Sequence, residues 1–376
     1  MEHTNKIRII QITHDLNIGG LQRLVVDIAR SLDRELYEVA VCALRGTGPL
    51  EQELLDEGIR VLQLPPARNG TDYLTFWKLY KLFRREQPHI VHTHNTQPFL
   101  EGGIAACMAR VPAFVHTDHG RHFPDKKRYM IAEKVMSNFA DAIVAVSEGT
   151  KNDLVRHERI RSDRIQVVIN GVDGRKYQNP VDKAAKMKEL NIGGRRGFVL
   201  GFAGRLSPEK GLHHLIAAMS VLVKEHPDML LLIAGDGPLE NALQTETSAK
   251  GLEGNIRFLG PRSDVAEILG VLDAIVLPSL REGLPLILLE AASSGLPIIA
   301  TKVGGTGAVV QDGRNGYLVP AGDEPALCEA VRSLVHDPGK AKIFGEASRR
   351  IFAERFGLGR MMSHYCSIYR DCLAAG

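Results

Sequence analysis

A chain of 376 residues is longer than one hydrophobic core usually grows and is comfortable for two. With 44% apolar and 24% charged residues it reads as a soluble globular protein, which excludes wholesale disorder. Lys and Arg outnumber Asp and Glu by only 47 to 44 and aromatic residues are few, so nothing points to nucleic acid, and any anion preference must be local. The five cysteines (Cys42, Cys107, Cys328, Cys366 and Cys372) show no metal-ligand spacing and read as reduced thiols of a cytosolic protein. Glu2, His3 and Lys6 run straight into an apolar strand, so no signal peptide is expected, and no segment reaches the ~20 apolar residues that span a bilayer. Without secretion, the sequon Asn69-Gly70-Thr71 carries no meaning.

In chain order, the first strand is expected at Ile7–Thr13, followed by a helix over Leu21–Leu32, where Leu21, Leu24, Val25, Ile28 and Leu32 form one apolar stripe. Further strands are expected at Glu38–Leu44, Arg60–Leu64, Ile90–His94, Ala113–Thr117, Ala142–Ser147 and Gln166–Ile169. Several are continuous apolar runs, the pattern of strands covered on both faces. The second half repeats the scheme. Its strands are expected at Phe198–Gly204, Met229–Ala234, Ile256–Gly260, Ala274–Pro278, Pro297–Thr301 and Gly316–Val319. The intervening helices fall at Leu212–Glu225, Leu239–Lys250, Val265–Leu269, Leu286–Ser294 and Pro325–Val335. Alternating strands and helices imply parallel sheets with right-handed crossovers, hence two doubly wound α/β domains. The polar, strand-poor stretch Gly174–Arg196 is the expected boundary, which divides the chain into 1–180 and 181–354. Ala347–Leu373 reads as helical with no following strand; whether this C-terminal helix, about 355–376, packs back on the first domain is left open.

Four constellations carry chemistry. In Arg281-Glu282-Gly283-Leu284-Pro285-Leu286-Ile287-Leu288-Leu289-Glu290 a strand ends, a turn follows and a helix begins, which puts free backbone N–H groups at the carboxyl edge of a sheet. Glu282 and Glu290 there can accept from sugar hydroxyls, although spacing equally allows a solvated loop charge and a helix-dipole partner. Gly204-Arg205-Leu206-Ser207-Pro208-Glu209-Lys210-Gly211 also follows a strand and opens a helix. Its Arg205 and Lys210, brought together by the turn, would neutralise a diphosphate. Asn17-Ile18-Gly19-Gly20 resembles a phosphate loop without a complete dinucleotide or Walker pattern, and a tight strand-to-helix turn would call for glycines anyway. His92, His94, His116 and His119 lack a metal-binding helix pattern and are read as imidazoles lining a polar cleft or packing at strand ends. No Asp-x-Asp occurs, so no metal is expected and phosphate charge falls to Arg, Lys and helix dipoles.

Taken in register, Gly19-Gly20, Thr117-Asp118-His119-Gly120, Val146-Ser147-Glu148, Asn170-Gly171-Val172-Asp173, Gly204-Arg205-Leu206 with Lys210-Gly211, Ala234-Gly235-Asp236-Gly237-Pro238 and Glu282-x7-Glu290 resemble family 4 of the retaining glycosyltransferases, glycosyl transferases group 1. The run His116–Phe123 is similar to sugar transferases of bacterial exopolysaccharide and exosortase systems. The resemblance implies the GT-B fold, two Rossmann-like doubly wound parallel-sheet domains facing across a cleft. It implies transfer, with retention, from a nucleotide diphosphate sugar, a UDP-sugar by expectation, to a glycan or lipid-linked acceptor, with no cofactor besides that co-substrate. By the same resemblance Gly19 and Gly20 approach the donor, Arg205 and Lys210 bind its diphosphate, and Glu282 holds a sugar hydroxyl. The backbone of Gly283, Leu284, Pro285 and Leu286 touches sugar and phosphate, Glu290 accepts from the ribose, the backbone around Arg262 reads the base, and His119 contacts the donor sugar. Asn95, Arg121, His122 and Arg128 are acceptor-side candidates by location.

A nucleotide-sugar epimerase or hydrolase, and a non-catalytic sugar-nucleotide-binding subunit, are the competing readings. Trp77, Lys78, Lys81, Arg84 and Arg85 on one expected helix with Leu74, Leu79 and Phe83, together with Lys126-Lys127-Arg128-Tyr129, suit an anionic membrane. A helix with its stripe in the core and its charges in water fits as well. The expected location is the cytoplasm, extending to the inner face of the cytoplasmic membrane.

Overall fold

Apolar runs rich in β-branched residues become strands wherever both faces are covered. The computed structural model describes residues 6–64, 74–120, 125–193 and 197–375. The first group is β1 Ile7–Thr13, β2 Tyr37–Ala43, β3 Arg60–Gln63, β4 Ile90–His94, β5 Ala113–Asp118, β6 Ala142–Ala145 and β7 Ile165–Val167. The second is β8 Val199–Ala203, β9 Leu230–Ala234, β10 Ile256–Gly260, β11 Ala274–Leu277, β12 Ile298–Thr301 and β13 Gly316–Val319. Every expected strand forms, with ends shifted by at most two residues. The end of β6 shows why: the Ser147 hydroxyl accepts from the Thr150 N–H at 3.0 Å and caps a helix, so Val146 and Ser147 leave the strand.

Both sheets are parallel, ordered β3-β2-β1-β4-β5-β6-β7 and β10-β9-β8-β11-β12-β13. In each, strand order reverses beside the first strand, between β1 and β4 and between β8 and β11. Such switch points open a crevice at the carboxyl edge where doubly wound sheets bind ligands. The loops leaving β1, β4, β8 and β11 carry Gly19-Gly20, Asn95, Arg205–Lys210 and Glu282–Leu286. One face of the first sheet, with Ile10, Ile12, Val91, Phe114 and Ile143, is covered by Leu79, Leu82, Phe83, Phe99 and Met136 from consecutive helices.

The chain divides into two compact units, Met1–Asn170 with Gly359–Gly376, and Gly171–Leu358. The sequence-based boundary at 180/181, inside the polar stretch 174–196, therefore falls too late. Helices Arg175–Gln178 and Lys183–Glu189 pack on helices of the second unit, and Lys186 forms ion pairs with Asp264 and Glu267 there. The C-terminal stretch expected as one helix is two, Pro338–Arg355 and Leu358–Ala375. The break comes where Val172 donates to Phe356 O and Leu358 donates to Val172 O, each at 3.0 Å. The last helix buries Met361, Met362, Tyr365, Ile368, Tyr369 and Cys372 and belongs to the first unit, where Gln11 donates to the Tyr369 hydroxyl at 3.0 Å.

Candidate active site

In the second unit, the loops after β8, β11 and β12 interlock through their backbones. Leu280 N–H donates to Glu209 O at 2.8 Å, and Gly305 N–H donates to Gly283 O at 2.6 Å. Two glycines are required by this closeness. Gly211, at φ +62°, would put a Cβ 2.3 Å from Pro278 O, and Gly304, at φ +50°, would put one 1.7 Å from Glu282 O. The result is a direct pairing between two motifs 72 residues apart: Lys210 Nζ donates to Glu282 Oε1 at 2.7 Å. The Ser279 hydroxyl donates to the same oxygen at 2.6 Å, and Thr301 Oγ1 in turn donates to Ser279 O. Glu282 is largely buried, with 8% of its side chain exposed.

This arrangement rewrites the two pairs drawn from sequence. Lys210 is joined to Glu282, whereas the guanidinium of the exposed Arg205 makes no hydrogen bond or ion pair among the described residues. Glu290 lies half-buried inside helix Leu286–Ser294, whose first turn follows Pro285 with no side-chain cap. Leu284, Pro285 and Leu286 are buried and Gly283 is partly exposed, so this segment presents backbone at the sheet edge. Ser279 and Thr301 were missed by sequence reasoning. The only signal was their place at strand ends, which does not distinguish them from ordinary turn residues.

Arg262 has its side chain committed. Its guanidinium donates to Asp264 at 2.7 and 2.5 Å and to Glu189 at 2.8 Å. Lys186, buried to 5% exposure, adds Nζ contacts of 2.7, 2.5 and 2.6 Å to Glu189, Asp264 and Glu267. Hydrogen bonds from Arg262, with Lys186 beside it, hold the Asp264 carboxyl well below the usual carboxylate range against the opposing effect of burial. Glu189, Asp264 and Glu267 form the one carboxylate cluster among the described residues compact enough for a metal, and it is already closed around the Lys186 ammonium.

In the first unit, Gly19 has φ −171° and Gly20 opens helix Gly20–Ser31. Neither takes a positive φ, and a Cβ on Gly19 would meet only the end of the Gln22 side chain, so the turn does not itself require glycine there. Asp15 pins the turn by accepting from the Asn17 N–H and Gln22 Nε2, each at 3.0 Å. Burial works against its charge, and these bonds with His14 outweigh it, so the carboxyl stays below its ordinary pKa.

The histidines are ligated by protein groups. His92 bonds Tyr369 OH and Thr117 Oγ1, each at 2.7 Å, His94 bonds Gln11 Oε1 at 2.7 Å and His119 at 2.9 Å, and His116 bonds Thr93 Oγ1 at 3.0 Å while stacked on Phe99. All four lie in or just after β4 and β5. Burial pushes the pKa of His92 down to about 3 and those of His94 and His119 well below the ordinary histidine value, so these imidazoles are neutral at pH 7. Asn95, at φ 62°, accepts the His119 N–H at 2.9 Å. That bond makes Asn95 a support for His119, whatever else its other atoms touch. Arg128 is exposed and lies over the Tyr129 ring at 4.9 Å. Arg121 and His122 lie outside the described residues.

Two parallel doubly wound sheets with ligand-competent switch points define the GT-B class. Solved structures agree: HepE from Anabaena in complex with UDP-glucose is 22% identical with a TM-score of 0.86 over 98% of this chain and 100% of its own. The sucrose-phosphate synthase of Thermosynechococcus elongatus is 20% identical with a TM-score of 0.83 over 99% and 100%. The chain belongs to the family described as glycosyl transferases group 1, whose model matches residues 163–351, and the model for glycosyltransferase family 4 matches residues 18–175. It is a glycosyltransferase. Among curated relatives, the UDP-Gal:alpha-D-GlcNAc-diphosphoundecaprenol alpha-1,3-galactosyltransferase of Escherichia coli is 31% identical over 98% of this chain and 97% of its own length. The putative glycosyltransferase EpsD of Bacillus subtilis is 28% identical over 89% of each chain. No helix among the described residues is long and apolar enough to cross a membrane.

Proposed function

We propose that this glycosyltransferase moves a sugar, with retention, from a UDP-sugar to a lipid-linked or glycan acceptor in bacterial polysaccharide synthesis. The observation that carries the reading is the Lys210–Glu282 pair at the switch point of the second sheet. The relative named for a UDP-Gal donor and a diphosphoundecaprenol-linked acceptor supports the substrate classes. As the bond to the anomeric carbon breaks, negative charge collects on the leaving diphosphate. Lys210, held by Glu282, and the uncapped N–H groups of helix Leu286–Ser294 are in place before that charge develops, and the exposed Arg205 adds a second cation. Glu282, held by Lys210 and Ser279, accepts from a sugar hydroxyl, and Glu290 accepts from the ribose. With its side chain tied to Asp264 and Glu189, Arg262 serves the base through neighbouring backbone. Gly19, which its turn does not require, and Gly20 give the donor close access to backbone. His119 faces the donor sugar, and Asn95 and Arg128 stand on the acceptor side. The reading takes no cofactor and no metal.

Incubation with a panel of UDP-sugars and an undecaprenyl-diphosphate-linked sugar tests it. Acceptor-dependent release of UDP with a product of retained configuration is expected; sugar alteration or release with donor alone would overturn it.

The same reading includes contact with an anionic membrane through the first unit. Helix Thr75–Glu86 buries Leu79 and Phe83 in the core, so its stripe follows the bland expectation, but Trp77 stays 41% exposed with Lys81 above its ring. On the neighbouring helices Ile104, Met108, Ile131 and Val135 are exposed, followed by Phe139, and Lys126, Lys127 and Lys134 flank them. Apolar and basic side chains on one helical layer suit a lipid interface. Exchanging Lys127 and Lys134 for Glu is expected to lower co-sedimentation with phosphatidylglycerol vesicles at least about tenfold. Binding that ignores anionic lipid would remove the membrane from the reading.

A further inference from the structure

A run of polar side chains in the first unit, most of them buried, is linked by hydrogen bonds. It runs His119 Nε2 to His94 Nδ1 (2.9 Å), His94 Nε2 to Gln11 Oε1 (2.7 Å), Gln11 Nε2 to Tyr369 OH (3.0 Å), Tyr369 OH to His92 Nδ1 (2.7 Å) and His92 Nε2 to Thr117 Oγ1 (2.7 Å). The direction of each bond follows from one member. Gln11 Oε1 can only accept, so His94 Nε2 carries a hydrogen. His94 is buried among His92, His116 and His119 and stays neutral, so its Nδ1 is a bare lone pair. His119 Nε2 must then donate, which leaves Nδ1 of a neutral His119 bare. Among the described residues that atom has no partner. In the other direction the Tyr369 hydroxyl accepts from Gln11 and donates to His92 Nδ1, so His92 Nε2 donates to Thr117.

Hydroxyls and neutral imidazoles can each serve in either direction. The Gln11 amide alone has fixed and different ends, and turning it over would reverse every bond and place a hydrogen on His119 Nδ1. We propose that Gln11, hydrogen-bonded to Tyr369 of the C-terminal helix, is a positioning residue that selects the His119 tautomer and so makes His119 Nδ1 an acceptor for a sugar hydroxyl at the carboxyl edge of the first sheet. This rests on the reading of His119 as a donor-sugar contact. It ties the last helix of the chain to the chemistry through atoms 358 positions apart in sequence.

Gln11→Met keeps the length of the side chain and removes both hydrogen-bonding ends; Tyr369→Phe keeps the ring and removes the hydroxyl that joins the amide to His92. Long-range proton–nitrogen correlation spectra report the His119 tautomer, its signals identified by their loss in His119→Asn. The wild type is expected to show His119 as the Nε2–H form, and both variants a mixture of forms. kcat should fall about tenfold or more with a smaller change in KM for the donor, as when the partners orienting other functional imidazoles are removed. Should Gln11→Met not fold, Tyr369→Phe decides alone. An Nδ1–H form in the wild type, or an unchanged tautomer in the folded variants while His119→Asn has lost transfer, overturns the inference. Unaltered transfer in His119→Asn overturns the underlying reading of His119 instead.

Discussion

Lys210→Ala is expected to lower kcat for sugar transfer by about 10²–10³-fold, the effect of deleting one preorganised group where charge develops. Lys210 also neutralises Glu282, whose side chain is 8% exposed and would keep only the Ser279 hydroxyl as partner. The donor-sugar grip therefore loosens as well, and KM for the donor should rise. Stability should fall by about 1–3 kcal/mol, the cost of leaving a buried acceptor short of a partner. In a unit of this size that is a drop of several degrees in Tm, well short of unfolding. Lys210→Arg keeps the charge but places a planar fork where a single Nζ–Oε1 contact of 2.7 Å is made, so it should recover only part of the rate. Steady-state transfer alongside calorimetry checks both effects. A Lys210→Ala enzyme with near-normal kcat would end the assignment of this cation to the leaving group.

The largest stability effect is expected from truncation after Leu358. The removed helix buries Met361, Met362, Tyr365, Ile368, Tyr369 and Cys372 in the first unit. At about 1.5–3 kcal/mol for each large apolar side chain, the loss is on the order of 10 kcal/mol. That is comparable to the whole stability of a typical domain, even after allowing for a compact unfolded chain. It also strands His92 and Gln11, which bond Tyr369 OH at 2.7 and 3.0 Å. Limited proteolysis of the truncated protein should cleave residues 6–170 rapidly and spare the second unit. Hydrogen exchange should show the same split. Equal protection of both units would mean that the helix is dispensable to the first.

Much of this was legible in the sequence because strands and helices announce themselves over short distances. Ile7–Thr13, Ile90–His94, Ile256–Gly260 and Gly316–Val319 form with the expected ends, and so do helices Leu212–Glu225 and Leu286–Ser294. The domain boundary was less legible because a polar, strand-poor stretch looks the same whether it links domains or packs as short helices. Helix Lys183–Glu189 does the latter, with Lys186 drawn to Asp264. The break at Phe356-Gly357 was hidden for a related reason: it is made by pairing with Val172, far away in the chain.

By itself, then, the sequence determined the alternation of elements, the two parallel sheets and the placing of the charged motifs just after strand ends. Those follow from local periodicity and from the handedness of parallel crossovers, which leave little freedom of topology. Only the tertiary structure decided which charges meet. Lys210 finds Glu282 across 72 positions, Arg262 is spent on Asp264 and Glu189, and His92 meets Tyr369 across 277 positions. Such partners are chosen where loops from different strands converge on one sheet edge, and no local pattern records that convergence.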